Sequence, residues 1–207
     1  MSYVHIALLV LPALLSACSS VRETQPPRTA DEQLLISGAV DHALDGLDLG
    51  IPPGTRIWVD AANFDGYDEK YAVGAIRDHL LRSGGRLVAD RGAADTVVEI
   101  RAGALSTNSS NMLIGIPSLA LPVPLIGNMQ TPELSLLKRA EDEGVAKIGL
   151  TAYDAKTGAL APYSPADPAY GYATNRRWVI LSLIEWTEDD APEAAGEARD
   201  RSAGGVR

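Results

Sequence analysis

Among the side chains able to do covalent chemistry, one stands in a setting that specifies a reaction. Leu15-Ser16-Ala17-Cys18 closes an uncharged apolar run, Ile6 to Ala17 (IALLVLPALLSA). That run has the length of a signal-peptide core and is too short to cross a hydrocarbon layer of about 30 Å as a helix. Small residues ahead of the cysteine suit a signal peptidase groove, and the thiol is the group that would be thioether-linked to diacylglycerol. Lipid first holds the cysteine at the membrane, and cleavage before Cys18 frees its amine for a further acyl chain. The competing reading is a buried free thiol behind an N-terminal hydrophobic helix. The leading segment MSYVH carries no Lys or Arg, a departure from the usual charged start. Several acyl chains at about 0.8 kcal/mol per buried CH₂ would anchor the chain almost irreversibly. Ser19 and Ser20 stand where an Asp would favour the inner membrane, so the expected home is the outer membrane, with the chain facing the periplasm. With Cys18 consumed no thiol is left for a disulfide, since the chain has a single cysteine.

The remaining candidates for chemistry are sparse. Nucleophilic catalysis needs a base held against Ser, Thr or Cys, and metal sites need clustered His, Cys or carboxylates; neither pattern is visible. His42 and His79 each stand alone on a predicted helix and read as surface or packing residues. Asp60, Asp65, Asp68 and Glu69 gather after a predicted strand, where an α/β site would sit, but without the glycine placement and closing Glu of a calcium loop. Helix capping and solvation account for them. Asp154-Ala155-Lys156-Thr157-Gly158 lacks the glycine-rich loop that a phosphate site places before its Lys, and reads as a turn. The expectation is no enzyme activity, no cofactor and no metal.

The elements that would position such residues can be read from the pattern. Ser19 to Arg28 is a polar spacer with a Pro pair, reaching at most about 35 Å. Thr29-Ala30-Asp31-Glu32 has the spacing of a capping box, and Ile36, Val40, Ala43, Leu44 and Leu47 follow on one helical face. Arg56 to Ala61 alternates as a half-buried strand. A second helix is expected over residues 68–82, with Val73, Ile76 and Leu80 inward, stopped by Ser83-Gly84-Gly85. Arg86 to Asp90 reads as a short strand, and Thr96 to Leu105 as another, with Val98, Ile100, Ala102 and Ala104 on one side and Glu99 and Arg101 on the other. Glu141-Asp142-Glu143-Gly144 reads as a solvated hairpin turn into a strand, Val145 to Tyr153. Asp154 to Gly158 then returns the chain through Ala159 to Tyr163. Arg177 to Trp186 fits a strand better than a helical turn, because β-branched residues run between terminal tryptophans.

One stretch stands apart. From Ala102 to Pro132 there is no Asp, Glu, Lys, Arg or His, and Met112 to Gly127 (MLIGIPSLALPVPLIG) is almost wholly apolar. Pro117, Pro122 and Pro124 exclude a straight membrane-spanning helix. The stretch reads either as a long connection folded over the sheet or as an interface for the bilayer, a second copy or a partner protein. The interface reading places Met112, Leu113, Ile114, Ile116, Leu119, Leu121, Val123, Leu125 and Ile126 at the contact.

The 207 residues are 46% hydrophobic and 22% charged, the make-up of one soluble domain. A net charge of −9 without any Lys/Arg cluster excludes nucleic-acid binding. The expected organisation is a signal peptide (1–17), lipid anchor and tether (18–28), an α+β domain (29–186) and a disordered acidic tail (187–207). The domain is expected to hold a single mixed β-sheet of about five to six strands with two helices on one face.

The lipobox, Arg56 to Ala61, the helix closed by Ser83-Gly84-Gly85, Ala94-Asp95-Thr96-Val97-Val98-Glu99 and Lys147 to Leu160 (KIGLTAYDAKTGAL) together resemble a known layout. It is that of the periplasmic domains of the curli-secretion lipoprotein, the penicillin-binding-protein activator lipoprotein and related flagellar lipoproteins. Gly115-Ile116-Pro117, Thr131-Pro132-Glu133-Leu134 and Gly144-Val145-Ala146-Lys147 also resemble a group of uncharacterised proteobacterial lipoproteins with a domain of unknown function. The resemblance implies a non-enzymatic binding or scaffolding role in envelope assembly or export, with an envelope protein or a second copy as partner. It carries over no catalytic residue. The alternative is an oligomeric secretion or pore component using the apolar stretch as its interface.

Overall fold

The structure, a computed structural model, describes residues 28–123 and 127–189. The expectations for the signal segment, for Cys18 and its tether up to residue 27, for Leu125 and Ile126, and for 190–207 lie outside the described residues.

The first helix begins where the sequence places it. Thr29 Oγ1 accepts a hydrogen bond from the Glu32 backbone N–H (3.2 Å), and Glu32 Oε2 accepts one from the Thr29 N–H (2.9 Å). This reciprocal cap satisfies two donors that a helix start leaves without partners. The helix, α1 (Ala30–Asp45), buries Leu35, Ile36, Ala39, Val40, Ala43 and Leu44. Each fully buried Leu, Ile or Val contributes about 1.5–3 kcal/mol from the area removed from water.

Strand β1 (Arg56–Asp60) follows, with Ile57 and Val59 buried. Helix α2 (Glu69–Arg82) buries Ala72, Ile76 and Leu80 and keeps Val73 partly covered. Gly84 ends it in the left-handed conformation (φ 95°), the role its sequence position predicts. Strand β2 is only Arg86–Leu87, shorter than the alternation suggests, because Asp90 caps a 3₁₀ turn over Arg91–Ala93. Then come β3 (Thr96–Ile116), β4 (Ala120–Val123), β5 (Gly127–Gln130), β6 (Leu134–Asp154), β7 (Ala169–Ile180) and β8 (Ile184–Asp189). One mixed six-stranded sheet runs β2-β1-β3-β6-β7-β8, and β4 and β5 form a separate two-stranded hairpin. The β1–β2 and β1–β3 pairs are parallel; the rest of the sheet is an antiparallel meander. Both helices bury their apolar residues with Ile57, Val59, Val98, Ile100, Ala146, Ile148 and Leu150 in one core. The architecture is α+β, as the sequence predicts.

The largest departure is the length of the central hairpin. Strands β3 and β6 are 21 residues each, and they pair from Thr96↔Asp154 to Ile116↔Leu134. Much of the uncharged stretch after Ala102 is therefore strand, not a connection folded over the sheet. Its apolar residues satisfy their backbone groups on β6. Glu141-Asp142-Glu143-Gly144, expected as a hairpin turn, lies inside β6. Its charges have cross-strand partners: Glu141 accepts from Arg176 (2.9 Å), pairing as well with Arg139 on its own strand, and Asp142 accepts from Ser109 Oγ (2.6 Å). Gly144 is there for clearance, since a Cβ on it would strike the Leu35 carbonyl of α1.

Smaller corrections have equally local causes. A bulge at Gly103 breaks the alternation of β3, so Leu105 and not Ala104 enters the core. The return from Asp154 is a single bridge, Tyr153↔Leu160, in place of a strand through Tyr163. Residues 177–186 are not one strand: Leu181 and Ser182 take left-handed conformations (φ 52° and 53°) and reverse the chain between β7 and β8. Ser182 Oγ holds that turn by accepting from the Ser135 N–H (2.8 Å). Strand β8 continues to Asp189, three residues into the segment read as tail.

Candidate functional site

The residues singled out as chemical candidates have structural partners or face solvent, and the fold does not gather them. Asp60 accepts from the Ala62 N–H (3.1 Å). Asp68 begins α2 in the left-handed conformation and pairs with Arg28 (3.7 Å), whose guanidinium also lies over the Tyr67 ring at 3.8 Å. Asp65 and Glu69 point to solvent. Among the described residues no three His, Cys, Asp or Glu side chains lie close enough to hold a metal. His42 Nδ1 meets the Tyr172 carbonyl (2.6 Å) and His79 Nε2 the Leu47 carbonyl (2.7 Å). A carbonyl only accepts, so the facing ring nitrogen carries the proton in both cases. His42 thus ties α1 to β7. Tyr71 on α2 donates to both oxygens of Asp41 on α1 (2.9 and 2.8 Å). Burial, then that hydrogen bond, pushes its hydroxyl up to about 12.

At the end of the sheet near Thr96, Asp95 takes a forked pair of bonds from Arg56: Nε to Oδ2 (3.0 Å) and Nη2 to Oδ1 (2.6 Å), with the Arg56 N–H adding a third (3.1 Å). The side-chain bonds first, then the backbone bond, hold its carboxyl down at about 2. Asp154 accepts from the Thr157 N–H (2.7 Å), the Thr157 hydroxyl (2.9 Å) and the Lys156 N–H (3.0 Å), which lower its pKa. These bonds knit the turn, in keeping with the turn reading of Asp154 to Gly158.

What the fold does assemble is an arm. Beyond Thr107 the strands β3, β6, β7 and β8 carry a four-stranded antiparallel sheet past the buried core, in which none of the described residues between Leu105 and Ala146 takes part. Side chains alternate between two faces. Gly144 and Ala146 on β6 and Gly171 and Ala173 on β7 lie against α1. Following the register outward, Asn111, Leu113, Lys138, Ala140, Arg177, Val179, Glu185 and Thr187 continue that helix side. The opposite side is built of rows. Ser110, Glu141, Arg176 and Glu188 make a polar row; Met112, Arg139, Trp178 and Trp186 make the next on that face; Ile114, Leu137, Ile180 and Ile184 make the one after.

The outer rows are open to the surroundings. Met112 is 45% exposed, Ile114 51%, Ile116 57% and Ile184 58%. The Trp178 and Trp186 rings stack with centroids 6.1 Å apart and 13° between planes, and Arg139 lies over Trp178 at 5.3 Å. Farther out, the Leu119 N–H donates to Thr131 Oγ1 and the Thr131 N–H to the Leu119 carbonyl, both at 2.9 Å, which adds a rung at the base of the β4–β5 hairpin. Leu119, Leu121 and Met129 are exposed there.

Of the residues named for an interface, the structure thus puts Met112, Ile114 and Ile116 on one face and Leu113 on the other. Leu119, Leu121 and Val123 fall at the tip, the Val123 side chain lying outside what the structure describes. Sequence reasoning missed Leu137, Trp178, Ile180, Ile184 and Trp186 as members of the same surface. The signal for the last four was the apolar run RWVILSLIEW, but no Gly or Pro marks the turn that folds it back on itself.

The sheet also has two open edges. Strand β1 covers β3 only from Thr96 to Glu99, and among the described residues nothing pairs with the outer edge of β3 beyond that or with the outer edge of β8. No helix of the described residues is long and apolar enough to cross a membrane, which says nothing of strands.

Fold and surface together define an α+β domain bearing an amphipathic β arm. The sequence profile of a family described as "Family of unknown function (DUF6655)" matches residues 15–179, and the chain belongs to that family. No curated protein matches the chain.

Proposed function

We propose that this protein is a lipid-anchored, non-enzymatic binding or scaffolding module of cell-envelope assembly or export, and that it works through its β arm. One observation carries the reading: a four-stranded sheet leaves the core with an apolar face that no described residue covers. An exposed apolar patch of this kind marks a contact surface. The lipobox at Leu15 to Cys18 supports anchoring through lipid, and Ser19-Ser20 supports the outer membrane. The layout shared with envelope lipoproteins supports the cellular setting.

The test is twofold. Acyl labelling in cells should tag the wild-type chain and not Cys18→Ser. A photo-crosslinking residue at Ile114 or Ile184 should give a discrete adduct with an envelope component, lipid or protein, with the same residue at Lys138 or Glu185 as the helix-side comparison. Absence of any adduct along the arm, or turnover of cell-wall or ester substrates that a point mutation abolishes, would overturn the reading.

A second reading, an oligomeric secretion or pore component, is favoured by the two open edges. Strands β3 and β8 run antiparallel at opposite sides of the arm, so the β8 of one copy can pair with the β3 of the next and extend the alternation without a break. A strictly monomeric chain by light scattering in detergent would remove it.

A further inference from the structure

We infer that the helix-free face of the arm is a bilayer-contact surface, with the Ile114 row in hydrocarbon and Trp178 and Trp186 at the headgroup level. This deepens the assembly reading above and rests on it. Polarity on this face changes over two rows. Ser110, Glu141, Arg176 and Glu188 are polar or charged, whereas Ile114, Leu137, Ile180 and Ile184 are entirely aliphatic. Between them lies the row that holds the stacked tryptophans. Tryptophan prefers this level of a membrane, since its ring is apolar and its N–H still reaches water. Arg139, the one cation of that row, pairs back toward the charged row through Glu141 and lies over Trp178. Its charge is thereby directed away from the aliphatic side, as a snorkelling arginine requires.

Dimensions agree. Met112 to Ile116 covers about 13 Å at roughly 3.3 Å per residue, within the depth of one leaflet of an approximately 30 Å core. The helix side at the same height sets Lys138, Arg177, Glu185 and Thr187 among Leu113, Ala140 and Val179, and these charges favour lipid contact on the other face.

A lipid on Cys18 would be within reach of this level. Along α1, Leu35 and Gly38 lie at Gly144 and Ala173, while Ala39 and Ala43 lie at Gly171, nearer the base of the sheet. Helix α1 therefore starts on the arm side. Its entry is clamped by Arg28 against Asp68 and Tyr67, beside Gly66, where an added Cβ would meet Leu105 at 3.0 Å. From Leu105 to Met112 the strand rises about 23 Å. The segment from Cys18 to Arg28 reaches at most about 35 Å, enough to bring a lipid on Cys18 to the start of the aliphatic rows.

The experiment uses the full lipidated chain reconstituted in phosphatidylethanolamine–phosphatidylglycerol vesicles. Single cysteines at Ile114 or Ile184, and for comparison at Lys138 or Glu185, carry an environment-sensitive NBD probe. Nitroxide-bearing lipids are included as quenchers. Blue-shifted emission that lipid quenches at 114 and 184, with neither effect at 138 and 185, is the expected result. Trp58→Phe chain without any label gives an independent reading: brominated lipid should quench the emission of Trp178 and Trp186. Probes at 114 and 184 that are shielded but unquenched would overturn the bilayer assignment and show that protein covers this face. The crosslinks at the same positions would then persist and leave the assembly reading standing. Unshielded probes together with missing crosslinks would sink both.

Discussion

A methyl group is the smallest change that tests how α1 is seated. At Gly144 it would strike the Leu35 carbonyl, and at Gly171 the Ala39 carbonyl. Gly144→Ala and Gly171→Ala should each lower unfolding free energy by about 1–3 kcal/mol, read as a lower urea midpoint, because neither backbone can yield without tilting the helix. Asp95 supplies a pH-dependent counterpart. Its carboxyl is held at about 2 in the fold, below the ordinary range, so the charged form favours folding. That contribution is present above about pH 4 and is lost as pH falls toward 2. The urea-midpoint gap between wild type and Asp95→Asn should be open at pH 7 and shrink below pH 4; a gap that is constant with pH would refute the assignment.

Elements were legible where one local signal decided them. The Thr29–Glu32 cap, the Gly84 stop and the Asp154 turn each stand on a few neighbouring residues, and each forms as its spacing predicts. The arm was not legible, because its decisive facts are cross-strand. Glu141 and Asp142 look like turn residues until Arg176 and Ser109 are placed opposite them. The β7–β8 turn uses Leu181 and Ser182 in a conformation that ordinarily calls for glycine, so nothing in the local sequence announces it. Leu181→Gly should relieve part of that strain and slow amide exchange along β8, by about fivefold if roughly 1 kcal/mol is recovered. The same distinction governs the candidate surface: Met112, Ile114 and Ile116 were visible as an apolar run, whereas Trp178 and Trp186 joined them only through register.

For the whole molecule, core and arm are separable. Among the described residues no side chain between Leu105 and Ala146 belongs to the buried apolar core, although Gly144 lies against α1. A chain in which a two-residue turn joins Thr107 to Gly144, and which ends at Thr174 so that the rest of β7 and β8 are also gone, should therefore melt cooperatively within several degrees of the parent, while losing any self-association in light scattering. Failure of that chain to fold would mean that the arm supports the core. The paired length of β3 and β6 also sets an order of assembly. Ile116 and Leu134 are near in the chain, whereas Thr96 and Asp154 are far apart, so closing the near pair first spares most of the loop entropy. Each further pair then closes only a small additional loop, and the strands zip from the tip toward the base. Pulse-labelled hydrogen exchange should find amides near Met112 protected before those near Val97. The nascent chain would thus display its most apolar rows before α1 and α2 have a sheet to dock on, which makes the moment of synthesis, more than the folded state, the time at which this protein most needs a membrane or a chaperone at hand.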